Sequence, residues 1–325
     1  MQLNYIGSKY KLSNFIISTI QEHSNSVSGE ITDLFAGTGI IGKKFRELGY
    51  KVTSNDIQYY SYILNKHFIE NSSNDIKNNL ISYFDNLKPK QGFIWKNYCK
   101  DRKYFSEDNG KKCDSIRTEI EKLFKLDLIS EKEYYYYIAS LLVSIDAYAN
   151  TTGVYVSYLK SLKEKAQKLF NYTGLDFTKG VKGTVYNEDS LNLIDTLKGD
   201  ILYIDPPYNN RNYGNNYHVL ETIARYDNPH IEGITGMRYY FKSPFCYNKS
   251  ATDCLNYLVN KANFKFIYLS YNNEGLISEN NIIKILNQHG AVDLFKKDYH
   301  RYKADNRRTY KDTQTVEYLF CLKKY

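Results

Sequence analysis

Four consecutive residues, Asp205, Pro206, Pro207 and Tyr208, combine groups that could act on an amino nitrogen. Two successive prolines have no backbone N–H and hold the chain extended. The segment therefore presents acceptors, the Asp205 carboxylate and the Pro206 carbonyl. They suit a nitrogen with two protons, such as the exocyclic amine of adenine, and accepting both protons directs its lone pair toward an incoming methyl group. Tyr208 offers a face for stacking a base taken out of a helix. A rigid turn after a strand is the structural alternative.

A second segment that could bind a ligand is Gly37-Thr38-Gly39-Ile40-Ile41-Gly42, which has the form G-x-G-x-x-G. Asp56 follows Gly37 at the spacing at which an acidic residue meets the ribose of a dinucleotide. Glycines allow the backbone to approach a ligand closely. Taken alone, the segment leaves three interpretations open: NAD, S-adenosylmethionine, or a purely structural turn.

The hydrophobic pattern predicts the elements that must position these segments. Short apolar runs predict five strands, at 30–35, 51–55, 184–186, 201–204 and 264–271. Two longer strands near 291–302 and 316–323 are too close in the chain for a helical crossover, so they indicate an antiparallel hairpin. The glycine-rich turn then follows the first strand, and Asp205 follows the fourth, at the strand end where open α/β sheets bind ligands.

Helical patterns fill most of the remaining chain. One helix is predicted from Ser13 to Glu22 with Ser13 as its N-cap, and another follows the glycine-rich turn. Residues from about 70 to 180 are mostly helical, including 131–148. The four tyrosines at 134–137 begin that helix and are expected to pack in the core. The fold class is therefore α/β, with a mostly parallel sheet, a C-terminal antiparallel hairpin and an inserted, mainly helical lobe.

The order of these motifs resembles that of the Dam-like, alpha-group N6-adenine DNA methyltransferases, which use S-adenosylmethionine. Six segments carry the resemblance: Asn4–Tyr10 (NYIGSKY), Asp33–Gly39 (DLFAGTG), Asn55–Ile57 (NDI), Asn187–Ser190 (NEDS), Asp205–Tyr208 (DPPY) and Phe266–Asn272 (FIYLSYN). The likeness covers most of the chain and implies a Rossmann-like methyltransferase sheet. It also favours S-adenosylmethionine for the glycine-rich turn, because NAD would leave the Asp-Pro-Pro-Tyr segment and Lys9 without a role.

The resemblance assigns roles residue by residue. The catalytic residues would be Asp205, Pro206, Pro207 and Tyr208. The cofactor-binding residues would be Tyr5, Lys9, Asp33, Phe35, Ala36, Gly37, Thr38, Gly39, Asp56, Ile57, Asp189 and Ser190. Methyl transfer of this kind implies no metal. The family organisation implies a catalytic domain formed by residues 1–70 and 181–325, with an inserted target recognition domain at 71–180.

The charge pattern permits nucleic acid as a partner. The chain carries a net charge of +8, and residues 88–112 hold eight Lys and Arg against three Asp and Glu. Aromatic residues interleave with these charges: Phe93, Trp95, Tyr98, Tyr104 and Phe105. Such a surface suits phosphates and opened bases, while an ordinary solvated face is the alternative. The predicted contacts here are Lys96, Lys100, Arg102 and Lys103.

Two further segments are predicted to touch DNA. Asn209 and Arg211 directly follow the catalytic segment, and Arg307 and Arg308 belong to a basic cluster that also contains Arg301, Lys303 and Lys311. Polar loops and charged hairpin tips are common, so each prediction has a structural alternative of similar weight. Double-stranded DNA is the expected partner, a cognate restriction endonuclease is left open as a second one, and a monomer is expected.

Other classes of protein are disfavoured by the sequence. No apolar run approaches the roughly 18–20 residues of a membrane span, the first residues have no signal-peptide pattern, and the five cysteines form no C-x-x-C pair. A reduced cytoplasmic protein is expected. Two alternatives to a DNA methyltransferase stay open: an adenine methyltransferase acting on structured RNA, and a non-catalytic DNA-binding relative.

Overall fold

The computed structural model describes residues 3–24, 29–210, 212–300 and 314–325. The chain divides into two compact units. The sheet unit comprises Ser8–Ile57, Lys179–Asn212 and Lys242–Tyr325, and the helical unit comprises Met1–Gly7, Gln58–Thr178 and Tyr213–Phe241. These bounds differ from the predicted division at 70 and 181, since two further segments pack with the helices. The recognition role of the inserted residues stays a prediction.

The described residues form nine β-strands. They are β1 (Glu30–Asp33), β2 (Lys51–Asn55), β3 (Thr184–Tyr186), β4 (Lys198–Ile204), β5 (Ile231–Glu232), β6 (Met237–Arg238), β7 (Asn263–Asn272), β8 (Gly290–His300) and β9 (Gln314–Lys324). Seven of them build the sheet of the sheet unit in the order β3-β2-β1-β4-β7-β9-β8. β9 runs antiparallel to β7 and β8, and the other neighbours are parallel. The predicted sheet and C-terminal hairpin are thus confirmed.

The strand order reverses at β1, and this reversal fixes where a ligand can bind. β2 lies on one side of β1 and β4 on the other, with Asp33 at the end of β1 in register with Tyr203 of β4. The carboxyl ends of β1 and β4 therefore lie side by side. In open α/β sheets a ligand binds in the crevice at such a switch point.

The described part of the chain contains twelve α-helices. They are α1 (Ser13–His23), α2 (Ile40–Glu47), α3 (Tyr59–Asn65), α4 (Ile81–Asp85), α5 (Glu107–Lys125), α6 (Glu131–Asp146), α7 (Glu164–Gln167), α8 (Ser190–Leu193), α9 (Tyr213–Asn216), α10 (His218–Arg225), α11 (Ala251–Lys261) and α12 (Glu279–Leu286). Short 3-10 turns cover Lys9–Lys11, Ser73–Asp75 and Pro244–Cys246, and π-helical turns cover Lys66–Glu70 and Trp95–Lys100.

The first helix begins where the sequence predicts, but its cap differs. Ser13 is the first helical residue, and Leu12 occupies the N-cap position without a side-chain hydrogen bond. The Ser13 hydroxyl instead donates to the Tyr10 carbonyl at 2.6 Å. The prediction that Ser13 caps α1 is therefore wrong, because the preceding 3-10 turn runs directly into the helix.

Each unit has its own apolar core. In the sheet unit the central strands are nearly continuous apolar runs, such as Ile201–Ile204, as expected of parallel strands covered on both faces. Leu255 and Leu258 of α11 and Ile282 of α12 pack in the same core. Each fully buried side chain of this kind contributes about 1.5–3 kcal/mol.

In the helical unit, α6 begins with a capping box in which Ser130 and Glu133 bond each other's backbone N–H. All four tyrosines at 134–137 are buried, which confirms their predicted core position. α10 and α3 pack against α6, and this packing explains why residues 213–241 join the helices.

None of the described helices is long and apolar enough to cross a membrane. No group of three or more His, Cys, Asp and Glu in the ranges given above could hold a metal ion. The five cysteines are buried free thiols.

Candidate active site

The centre of the site is an ion pair between two buried side chains. Lys9 lies in the 3-10 turn before α1, and Asp205 directly follows β4. Lys9 Nζ lies 3.0 Å from Asp205 Oδ1, and the side chains are 6% and 16% exposed. The lysine of the N-terminal motif therefore contacts the aspartate of the Asp-Pro-Pro-Tyr segment directly.

Further carboxylates surround this pair. Burial raises the pKa of Asp33 well above its usual range, and the negative charges of Asp205 and Asp56 raise it further. Glu317 of β9 has Oε2 4.0 Å from Lys9 Nζ, and burial also raises its pKa. Negative groups thus outnumber positive ones around Lys9, so the site favours a cationic ligand.

The charge states of the central pair follow from opposing effects. Burial raises the pKa of Asp205 above its usual value, while the Lys9 ammonium acts in the opposite direction. Burial also disfavours the charged ammonium, but Asp205 and Glu317 outweigh it and hold the pKa of Lys9 well above its usual value. Lys9 is therefore a cation that favours the ionised form of Asp205, although burial outweighs it and the pKa of Asp205 stays above its usual value.

The glycine-rich turn lies at the end of β1, next to this pair in the sheet. Gly37 and Gly39 adopt φ values of +51° and +77°, which glycine tolerates best. The Gly37 N–H donates to Asp56 Oδ2 at 2.8 Å, and Asp33 Oδ1 is buried without a hydrogen-bond partner among the described residues. Ala36 and Thr38 are buried beside them. The structure thus brings the predicted cofactor segments 33–39 and 55–57 together, with the buried acceptor Asp33 Oδ1 beside them.

The remaining predicted cofactor residues of the sheet unit lie beside this turn. The Phe35 ring meets Phe245 edge-on at 5.4 Å. Asn187 Nδ2 donates to the Asp56 carbonyl at 2.7 Å, which joins the segment after β3 to the segment after β2. Asp189 caps α8 by accepting from Leu191 N–H at 2.9 Å. Ser190, the first residue of α8, is buried, and Ile57 is half-buried after Asp56.

Tyr208 lies between a cation and a second ring. Lys9 Nζ is 5.3 Å from the centre of the Tyr208 ring, and the ring of Tyr271, from β7, meets it edge-on at 5.8 Å. Pro206 is buried, while Pro207 and Asn209 are half-buried. The ring is held on two sides, as a stacking surface for a base requires.

Tyr5 lies in the helical unit rather than in the sheet unit. Its ring stacks on Tyr217 at 4.7 Å and on Tyr213 at 5.4 Å, and Tyr60 Oη lies 3.4 Å from its hydroxyl. The boundary between the units falls after Gly7, inside the predicted N-terminal motif. The cofactor role of Tyr5 stays a prediction.

The predicted DNA contacts in the helical unit divide into two kinds. Lys96, Lys100 and Lys103 are exposed, with Lys100 Nζ 5.4 Å from the centre of the Trp95 ring. Arg102 differs from Lys96 and Lys100, because its three nitrogens donate to the backbone carbonyls of Asn97, Gly233 and Ile234. This guanidinium braces the unit. Lys103 Nζ likewise donates to the Lys160 carbonyl at 3.0 Å.

Several residues of the predicted basic and aromatic surface are buried. Tyr98, Tyr104 and Phe105 are at most 1% exposed, so the expectation that these rings interleave with exposed charges is wrong. Lys112 is buried as well and bonds Asp85 and the Phe170 carbonyl. Tyr98 lies in the π-helical turn Trp95–Lys100, and Tyr104 and Phe105 lie in the turn before α5; all three rings pack inward although lysines adjoin them in sequence. Arg211, Arg301, Lys303, Arg307, Arg308 and Lys311 lie outside the described residues.

Sequence reasoning missed Glu317. It stands inside the apolar strand β9, opposite Asn272 of β7. A charged residue within a strand that is otherwise buried is a signal that it faces a polar site, and this signal was present in the run Val316–Phe320.

Comparison with known proteins agrees with this geometry. The profile of the D12 class N6 adenine-specific DNA methyltransferases matches residues 5–285. The chain is 43% identical over 333 residues to the Type II methyltransferase M.NlaIII of Neisseria lactamica, covering 99% of both chains. It is 34% identical over 327 residues to the Type II methyltransferase M.CviAII of Paramecium bursaria Chlorella virus 1, covering 98% of both.

Among solved structures, magnesium protoporphyrin IX methyltransferase (ChlM) from Synechocystis PCC 6803 with bound SAM aligns over 97% of this chain and 79% of its own. The TM-score is 0.37 at 10% identity.

The switch-point site and the full-length similarity together define the class. The chain belongs to the D12 class of N6 adenine-specific DNA methyltransferases. It is a site-specific DNA methyltransferase that transfers a methyl group to adenine in DNA, and its family depends on S-adenosylmethionine. The comparisons give no support to an RNA substrate or to a non-catalytic relative.

Proposed function

We propose that the Lys9–Asp205 pair is the catalytic centre and that it acts on the N6 amino group of an adenine flipped out of duplex DNA. The observation that carries this assignment is the buried ion pair at the switch point of the sheet, 3.0 Å between Nζ and Oδ1. Only a carboxylate held in its ionised form can accept both a hydrogen bond and, later, a proton from an amino group.

S-adenosylmethionine fits the residues around the glycine-rich turn. Among the described residues no donor bonds the buried Asp33 Oδ1, and the left-handed glycines at 37 and 39 keep side chains away from the same place. In this assignment Asp33, Phe35–Gly39, Asp56, Ile57, Asp189 and Ser190 hold the cofactor, with Lys9 and Tyr5 as further contacts. The excess of carboxylates favours the positive charge of its sulfonium group. No metal takes part.

The chain's own groups then perform the chemistry by positioning and polarisation. When bound, S-adenosylmethionine supplies an electrophilic methyl group. The Asp205 carboxylate and the Pro206 carbonyl accept hydrogen bonds from the two amino N–H groups of adenine, which directs the nitrogen lone pair toward the methyl group. As the new C–N bond forms, the methyl–sulfur bond would break and S-adenosylhomocysteine would leave, while the surplus amino proton would pass to Asp205 and then to solvent. Pro206 and Pro207 offer no competing N–H donor. Tyr208 stacks on the flipped base, and Lys9 keeps Asp205 ionised and oriented.

The helical unit and its exposed lysines are assigned to DNA. Lys96, Lys100 and Lys103 would neutralise phosphates, with Asn209, Arg211, Arg307 and Arg308 as further contacts and residues 71–180 as the core of the target recognition domain. Several relatives are named Type II methyltransferases or modification methylases. We therefore assign the protein to a restriction–modification pair with a cognate endonuclease, and we assign it a monomeric state.

The experiment that tests these roles separates cofactor binding from transfer. Binding of S-adenosylmethionine is measured by calorimetry, and transfer is measured with tritiated methyl groups on duplex DNA, for the wild type, Asp56→Ala and Asp205→Ala. Asp56→Ala should weaken binding, whereas Asp205→Ala should bind within a few-fold of the wild type and lose transfer. Normal binding by Asp56→Ala, or transfer by Asp205→Ala, would contradict the assignment.

A further inference from the structure

A hairpin in the helical unit presents an apolar tip to solvent. β5 and β6 pair Ile231 with Arg238 and Glu232 with Met237, and residues 233–236 close the loop. Ile234 at this tip is 83% exposed, among the most exposed large apolar side chains of the described residues. Singly exposed apolar side chains are common on protein surfaces, and what distinguishes Ile234 is the support of the backbone beneath it.

The backbone beneath Ile234 is held unusually firmly. Arg102 donates from Nη2 to the Gly233 carbonyl at 3.0 Å and from Nε to the Ile234 carbonyl at 2.9 Å. The Tyr98 hydroxyl donates to the Gly236 carbonyl at 2.9 Å. Carbonyls at an exposed turn are normally left to water, whereas here the protein itself supplies the donors.

The carbonyl of Thr235, between those of Ile234 and Gly236, also has polar side chains within hydrogen-bond distance. Tyr104 Oη lies 3.0 Å from the Thr235 carbonyl oxygen and 2.7 Å from that of Tyr155, so its one proton serves both, and His218 Nε2 lies 3.0 Å from the Thr235 oxygen. All four consecutive carbonyls, from residue 233 to residue 236, therefore lie within hydrogen-bond distance of a polar side chain. Tyr98, Tyr104 and His218 are fully buried, so the tip rests on the core of the unit.

Two loop glycines and the hydrogen bonds at the base of the hairpin also fix the backbone of the tip. Gly233 and Gly236 have φ values of +68° and +66°, and a Cβ at Gly236 would lie 2.7 Å from Arg102 Nε. Arg238 of β6 makes two bonds to Asp227, at 2.9 and 2.7 Å. The loop is thus a preorganised support for one apolar side chain, and preorganisation lowers the entropic cost of binding.

The segment that bonds the tip is rich in cations, while the hairpin itself carries the exposed Glu232. The segment that supplies Arg102 and Tyr104 also carries Lys96, Lys100 and Lys103, whose side chains are exposed. Cationic side chains bind phosphates, and an isolated rigid isoleucine is among the side chains that architectural proteins insert between base steps.

We propose that Ile234 is a wedge that enters the base stack of the DNA and helps to open it around the target adenine. The proposal rests on the proposed function, since it requires base flipping. The buried donors keep the backbone fixed, so the side chain can press between stacked bases without the loop yielding. Part of the free energy needed to unstack the bases is then supplied by the tip.

The test uses Ile234→Ala, with Ile234→Met as the conservative variant and Leu128→Ala as a matched control. Leu128 lies in the same unit and is 61% exposed. The substrates are two oligonucleotide duplexes that carry the site mapped from methylated plasmid. One is fully paired, and the other has an abasic position opposite the target adenine. Single-turnover methylation is measured on both, and flipping is measured from the fluorescence of 2-aminopurine at the target position.

We expect Ile234→Ala to lower the single-turnover rate on the paired duplex roughly tenfold and to reduce the 2-aminopurine signal. On the opened duplex its rate should stay within about threefold of the wild type, because less unstacking is needed there. Ile234→Met and Leu128→Ala should resemble the wild type on both. S-adenosylmethionine binding and thermal melting should be unchanged in all variants.

Two results would overturn the wedge. Wild-type rate and fluorescence of Ile234→Ala on the paired duplex would show that the tip does not open DNA, and an equal loss on both duplexes would assign it to another contact. A wild-type enzyme that methylates neither duplex would instead contradict the proposed function, so the two failures are distinguishable.

Discussion

Lys9 Nζ lies 3.0 Å from Asp205 Oδ1, and both side chains are withdrawn from solvent. One residue comes from the 3-10 turn before α1 and the other from the end of β4, so the fold joins distant parts of the chain at one point. Removing either partner of a buried ion pair leaves an uncompensated charge. Lys9 therefore both orients the Asp205 carboxylate and favours its ionised form.

Replacing Lys9 should change the pH dependence of methyl transfer. Lys9 lowers the pKa of Asp205, against burial, which raises it. In Lys9→Gln the pKa of Asp205 rises, so the carboxylate forms only at higher pH and the acidic limb of kcat/KM moves upward by about 1–3 pH units. Lys9→Arg keeps the charge and should keep the limb near its wild-type position, even if kcat falls. An unmoved limb in Lys9→Gln would contradict the role given to Lys9.

Asp33 should reduce stability while it serves cofactor binding. Because burial raises the pKa of Asp33, the native state binds more protons than the unfolded state between the two pKa values. Stability from this group is greatest at low pH and is lost as the pH rises from about 3.9 toward the folded pKa. At pH 7–8, Asp33→Asn should therefore melt a few degrees higher than the wild type.

The same variant should bind S-adenosylmethionine much more weakly, since its carboxylate is gone. Thermal melts with and without cofactor check both statements. Glu47→Gln, an exposed carboxylate in the same unit, should change neither quantity. A lower melting temperature for Asp33→Asn would show that the carboxylate is stabilised by partners rather than strained by burial.

The exposed lysines should determine the salt dependence of DNA binding. Each phosphate contact contributes about 0.9 to the slope of log K against log salt concentration. Lys96→Gln, Lys100→Gln and Lys103→Gln combined should lower that slope by up to about 2.7 if all three contact phosphates. Titrations by fluorescence anisotropy at several salt concentrations measure it.

Two other exposed lysines of the helical unit provide the control. Lys122 and Lys125 are 61% and 72% exposed and are paired with Glu119 and Glu121. Their substitution by Gln should leave the slope in place. If both sets of lysine substitutions lowered the slope equally, the net charge of the unit rather than the position of its lysines would determine DNA binding.

The parts of the account that follow from local sequence were predictable. The strands and α6 carry regular apolar patterns, and the Asp-Pro-Pro-Tyr and glycine-rich segments carry chemistry that depends on a few adjacent residues. Lys9 was expected at the cofactor, but its ion pair with Asp205 joins residues 196 positions apart, and no local pattern contains that information.

The errors have the same origin. Tyr98 and Tyr104 lie next to exposed lysines in sequence, yet they point into the core, where their hydroxyls bond carbonyls of the 233–236 loop. Arg102 was predicted to contact phosphate because basic residues surround it in sequence. In the structure its guanidinium bonds backbone carbonyls. Residues 213–241 follow the catalytic segment in sequence and pack with the helices. Tertiary packing determines where these residues lie, and their spacing in the sequence does not contain that information.

The central claim is that Asp205 drives methyl transfer to adenine N6, and one measurement tests it most directly. Plasmid DNA is incubated with S-adenosylmethionine and either the wild type or Asp205→Asn, and modified bases are then mapped by sequencing that detects methylation. The account predicts N6-methyladenine at one defined sequence with the wild type. It predicts a rate lower by on the order of 10²–10³-fold or more with the variant. Methylation of another base, or an Asp205→Asn variant as active as the wild type, would contradict it.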